Sequence, residues 1–100
     1  MRRAARRDEN EKAIVFALEQ AGASVHRVDD QDFPDLVVGY KGQTYLLEVI
    51  GSEKGKKFKR TGGLSMGQFE WHQKWEGHAE VVWSVLDALR AIGVKKDAAS

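Results

Sequence analysis

A chain of 100 residues, 42% hydrophobic and 31% charged, sustains one globular domain with a modest apolar core. A net charge of +1 says nothing about partners, and the lack of cysteine excludes disulfides and a thiolate metal site. No apolar run reaches bilayer length and no secretory-leader pattern opens the chain, so no membrane partner and a reducing, cytoplasmic setting are expected.

Residues 1–7 form a basic arm, with Arg2, Arg3, Arg6 and Arg7. Helix one is expected over about 9–21: Ala13, Ile14, Ala17, Leu18 and Ala21 recur at helical spacing, and Val15 and Phe16 widen the stripe. Asp8 and Glu11 read as its capping box and Gly22 as its stop. Ala23 to Val28 is a short strand with Val28 and Val25 as core candidates. After the polar loop at 29–32, Phe33-Pro34 forces an extended entry. Leu36-Val37-Val38 reads as a strand covered on both sides. Lys41-Gly42 turns the chain into the strand Thr44 to Ile50. There Leu46, Glu48 and Ile50 share one face, and Tyr45, Leu47 and Val49 the other.

Residues 51–63 are polar and Gly-rich, a mobile loop carrying Lys54, Lys56, Lys57, Lys59 and Arg60. Ser65 and Gln68 form a capping box for a second helix, with a Leu64–Phe69 staple, and Gly77 ends it. Ala79 to Trp83 is a fourth strand, returning parallel to the hairpin. Ser84 and Asp87 cap a last helix that Gly93 stops, and 95–100 are a tail. The sum is a single domain over 1–100 of α/β class, a four-stranded mixed sheet flanked by helices in the order α-β-β-β-α-β-α.

Both basic clusters suit a nucleic-acid phosphate backbone, and both equally suit solvated surface. The hairpin says more. Counting back from the Lys41-Gly42 turn sets Asp35 opposite residue 48, which is Glu48. Two facing carboxylates repel, so a cation belongs between them. A hard divalent ion takes oxygen ligands, and the Val49 backbone carbonyl is a natural third. Magnesium or manganese phosphodiester hydrolysis is the chemistry such a set serves. In a plainer reading, Asp35 only begins a strand and Glu48 faces solvent. Against it stand the apolar flanks Leu46, Leu47, Val49 and Ile50, where a buried lone carboxylate is costly. His26, His72 and His78 are not spaced as a shared cluster; His72 reads as a core or rim histidine, and Trp71, Trp75 and Trp83 as core filling rather than base-stacking residues.

Pro34-Asp35, the apolar strand, and Glu48-Val49-Ile50 resemble the PD-(D/E)XK nuclease superfamily. Ile14-Val15, Gly22 to Val25, Pro34 to Leu36, Tyr45 to Val49, Leu64-Ser65 to Gln68, His72 and Trp75 resemble, more closely, small phage and prokaryotic nucleases of the VRR-NUC and Holliday-junction-resolvase-like type. The resemblance implies a restriction-endonuclease-like core and a DNA endonuclease using Mg²⁺ or Mn²⁺ in a prokaryotic or phage-infected cell. It implies branched or single-stranded DNA as partner, and a homodimer. It makes Asp35 and Glu48 metal ligands. Glu11 matches the helical acid that some members add, and Gln68 a helix-start polar residue near the site; capping competes for both. The motif lysine, which positions the attacking water, falls on Ile50. Either the lysine was replaced to silence the enzyme, or Lys54, Lys56 or Lys57 takes its place, or the protein binds nucleic acid without cutting it. A protein-interaction domain with solvated basic runs is a further alternative.

Overall fold

The computed structural model describes residues 5–51 and 59–94, with side chains at 9–51 and 60–94. The expected phosphate contacts at Arg2, Arg3, Lys54, Lys56 and Lys57, the side chains of Arg6, Arg7 and Lys59, and the 95–100 tail lie outside that set. Helix α1 is Ala5–Gln20, strand β1 Ser24–Arg27, β2 Leu36–Tyr40 and β3 Gln43–Val49. A short 3-10 turn at Lys59–Thr61 precedes helix α2, Met66–Lys74; strand β4 is Glu80–Val82 and helix α3 Val85–Ala91. The sheet runs β1-β2-β3-β4, with the first three strands antiparallel and β4 parallel to β3. This is the expected mixed α/β architecture in the expected order. Among the described residues no helix is long and apolar enough to cross a membrane.

Helix α1 starts at Ala5, earlier than expected. Asp8 therefore lies inside the helix, and the Asp8–Glu11 capping box is not its start. Alanine and arginine are strong helix formers, so the basic segment joins the helix without an apolar stripe. The C-terminus is as expected. Gly22, at φ +102°, follows the last turn; the Gly22 N–H donates to Glu19 and the Ala23 N–H to Leu18, a Schellman motif. Gly93 ends α3 in the same way, with Gly93 donating to Arg90 and Val94 to Leu89. Lys41 and Gly42 both adopt positive φ, 49° and 82°, a two-residue hairpin turn whose twist matches its strands.

Strand alternation puts Leu36, Val38, Leu47, Val49 and Val82 on one sheet face, all buried. Ile14 and Leu18 of α1, Ala88 of α3 and its C-cap Ile92 close that core, with Val25 packed at its margin. Phe16 is 64% exposed and does not widen the stripe. The other face carries Val37, which is only half-buried, so β2 is not fully covered on both sides. The reason is that α2 meets this face at Glu48, through the polar side chains Gln68 and His72. Helix α2 ends at Lys74 with Trp75 as its C-cap, two residues before Gly77.

Candidate metal site on the β2–β3 hairpin

The last rung of the β2–β3 ladder pairs Leu36 with Leu47. Asp35 and Glu48 are the next residues beyond that rung, and continuing the register by one step sets them opposite each other. Both carboxylates are buried. Asp35 is set in place by its backbone: its carbonyl accepts from the Val28 N–H at 2.8 Å, and buried Pro34 precedes it. Its Oδ2 accepts from the Val49 N–H at 2.8 Å. In an extended strand the N–H and C=O of one residue face the same side. The Val49 carbonyl therefore faces the β2 side too, beyond the last ladder rung, where it can join Asp35 as a ligand.

Glu48 is held from α2. Gln68 Nε2 donates to its Oε2 at 3.0 Å, and His72 Nε2 lies 3.4 Å from its Oε1. Gln68 can reach because it is the third residue of α2, where it also closes the capping box. The Ser65 N–H donates to Gln68 Oε1 at 2.9 Å, and the Gln68 N–H to Ser65 Oγ at 3.2 Å. The capping role and the site role both hold. Gln68 is the one buried residue of α2, so this helix docks through a polar group where an ordinary amphipathic helix would use an apolar one. His72, one turn on, is the residue that sequence reading left out of the site. Its i, i+4 spacing from Gln68 was the available signal. The ring is 13% exposed, and burial pushes its pKa below the ordinary imidazole value, leaving it neutral at pH 7.

Ile50 is fully buried, apart from the main core cluster. Its N–H donates to the Val82 carbonyl at 2.9 Å and its own carbonyl accepts from Asn10 Nδ2 at 3.4 Å. The backbone at the motif-lysine position is thus pinned, while the side chain offers no donor. Glu11 is buried on α1, with Arg27 Nε 3.0 Å from its Oε2. Of the loop cations, Arg60 is exposed. His78 pairs with Glu80 at 2.8 Å on the surface.

The tryptophans do not fill the core. Trp75 and Trp83 are exposed, and Trp71 is half-buried. Trp71 and Trp75, four residues apart at the C-terminal end of α2, stack on each other, and Phe33 packs edge-on against Trp71 at 5.3 Å. Helical spacing placed both indoles on one face, and that face lies outside the sheet core.

The donor set fits a hard divalent cation. Among the described residues no three His, Asp or Glu side chains form a metal-holding group. Two carboxylates and a backbone carbonyl, completed by water and substrate oxygens, are what magnesium takes. Among the described residues, the Val49 amide, the Gln68 amide and the His72 ring contact the two carboxylates. Each carboxylate oxygen has two lone pairs, so an oxygen that accepts one hydrogen bond retains ligand capacity.

No protein-family model and no curated protein matches the chain. Among solved structures, one described as "VRR_NUC domain" matches with a TM-score of 0.64 at 21% sequence identity, over 89% of this chain and 96% of that one. The chain shares its α/β fold with that domain.

Proposed function

We propose that the chain is a nuclease-fold domain whose Asp35, Glu48 and Val49 carbonyl hold Mg²⁺ or Mn²⁺ for DNA phosphodiester hydrolysis. The observation that carries the reading is that Asp35 and Glu48, the residues just past the Leu36–Leu47 rung, are both buried, with Asp35 Oδ2 on the Val49 N–H. The cation supplies Lewis-acid polarisation of a phosphate oxygen and a bound water of lowered pKa. Gln68 fixes the orientation of Glu48. Arg27 holds Glu11 on the α1 side, so Glu11 serves as a supporting acid rather than a ligand. Arg2, Arg3, Arg6, Arg7, Lys54, Lys56, Lys57, Lys59 and Arg60 contact phosphates along branched or single-stranded DNA, in a homodimer that presents two sites.

A second reading is favoured by Ile50: a domain on the same fold that binds nucleic acid without cutting it. A buried isoleucine neither orients a water nor neutralises transition-state charge. The Ile50→Lys variant separates the two when both forms are assayed with manganese on branched, single-stranded and duplex DNA. Cleavage by either form supports the hydrolytic reading. No cleavage by either, with folding intact, leaves the binding module. Phosphate contacts also require DNA affinity to fall steeply with salt, whereas negligible binding at low salt points to a protein-interaction domain.

A further inference from the structure

The Trp71–Trp75 pair is not explained by a metal site. The two indoles lie 4.7 Å apart between centroids and 17° from parallel. Trp71 is anchored from behind, edge-on to Phe33, two residues before Asp35. Trp75 is held at its pyrrole edge: a Cβ on Gly77 would stand 2.9 Å from its Nε1. With one face on Trp71 and Gly77 close to Nε1, Trp75 still keeps 43% of its surface exposed. The stack is continuous with the carboxylates, since His72 packs on Trp71 at 5.1 Å and reaches Glu48 at 3.4 Å.

The geometry points to a stacking platform for an unpaired nucleobase, presented by Trp75 and rigidified by Trp71, beside the Asp35–Glu48 site. A flat ring extends a near-parallel stack, and base-on-indole stacking tolerates any base. A protein partner fits less well. A stable interface buries on the order of 1,000 Å² or more, while this patch is one indole face bordered by Gln73, Lys74 and Glu76, all exposed. A base inside a duplex has its faces covered by neighbours, so the platform selects a single-stranded or frayed segment. The inference deepens the nuclease-fold reading by naming its substrate class, and rests on it for the position of the phosphate.

The test is equilibrium binding of the full chain, without added metal, to an oligothymidylate and to an abasic strand of equal length. Base stacking predicts tighter binding of the strand that has bases. Trp75→Ala loses about tenfold on that strand and nothing on the abasic one. Trp75→Phe, which keeps a ring, retains most of the affinity. Equal affinity of the wild type for both strands overturns the platform, as does a Trp75→Ala loss equal on both. The hydrolytic reading fails separately. A base-dependent loss in Trp75→Ala with no cleavage by the wild type or by Ile50→Lys keeps the platform and removes hydrolysis; cleavage without base dependence does the reverse.

Discussion

Gln68 donates to Glu48 at 3.0 Å while its carbonyl oxygen closes the first turn of α2. One side chain therefore couples the start of a helix to a buried carboxylate. Ser65→Ala removes only the cap and costs about 1 kcal/mol. Gln68→Ala removes the return bond of the box and a donor to a buried charge, and costs about 2–3 kcal/mol. Urea denaturation of both variants checks this. Equal costs would mean that the Gln68–Glu48 bond contributes nothing.

Gly67 lies against Asp32, which holds φ +70°; a Cβ on Gly67 would meet the Asp32 carboxylate. Gly67→Ala alone therefore turns the Asp32 carboxylate, the free end of a flexible side chain, aside, which offsets part of the helix propensity gained. In an Asp32→Gly background, the clash and the left-handed strain are both gone. There Gly67→Ala recovers helix propensity and stabilises by about 1 kcal/mol. Thermal melts check that the gain is larger in the Asp32→Gly background than in the wild type; equal gains would mean that the carboxylate costs nothing.

The Arg27–Glu11 pair joins β1 to α1 with the carboxylate buried and the guanidinium half exposed. Arg27→Met weakens the fold by about 1–3 kcal/mol, less in the Glu11→Gln background, where no charge is left to solvate. Manganese binding stays with Asp35 and Glu48 in both single variants. Loss of manganese binding in Glu11→Gln would place Glu11 among the ligands.

The hairpin was the most legible part of the sequence. The register follows from a two-residue turn at Lys41-Gly42, and side-chain alternation then leaves Glu48 no choice of face. The caps at Ser65 and Ser84 were legible for the same local reason. Ser84 Oγ accepts from the Asp87 N–H at 3.1 Å, although Asp87 reaches back to Trp83 at 2.9 Å and not to Ser84. What failed was judging which helix faces meet the sheet. Phe16 and Trp75 are apolar and helically spaced, and periodicity alone does not say that their side of the helix faces water. His72 was missed because its partner, Glu48, is 24 residues away in the chain.

Burial holds the His72 pKa below its usual value, so protonation is easier in the unfolded chain. The stabilising effect of a neutral His72 is full above the unfolded value near 6.5 and is lost as pH falls from there through the lower folded value. Metal-free wild type should therefore lose more stability between pH 7 and pH 5 than His72→Gln does. Parallel denaturation curves for the two proteins across that range would contradict the assignment.

The central claim is that Asp35 and Glu48 form one cation site. Isothermal calorimetry with manganese on the wild type, Asp35→Asn and Glu48→Gln tests it most directly, because both variants keep side-chain shape. The account predicts saturable binding in the wild type and its loss in each variant with folding intact. Binding of equal strength in all three would contradict it and make the carboxylates purely structural.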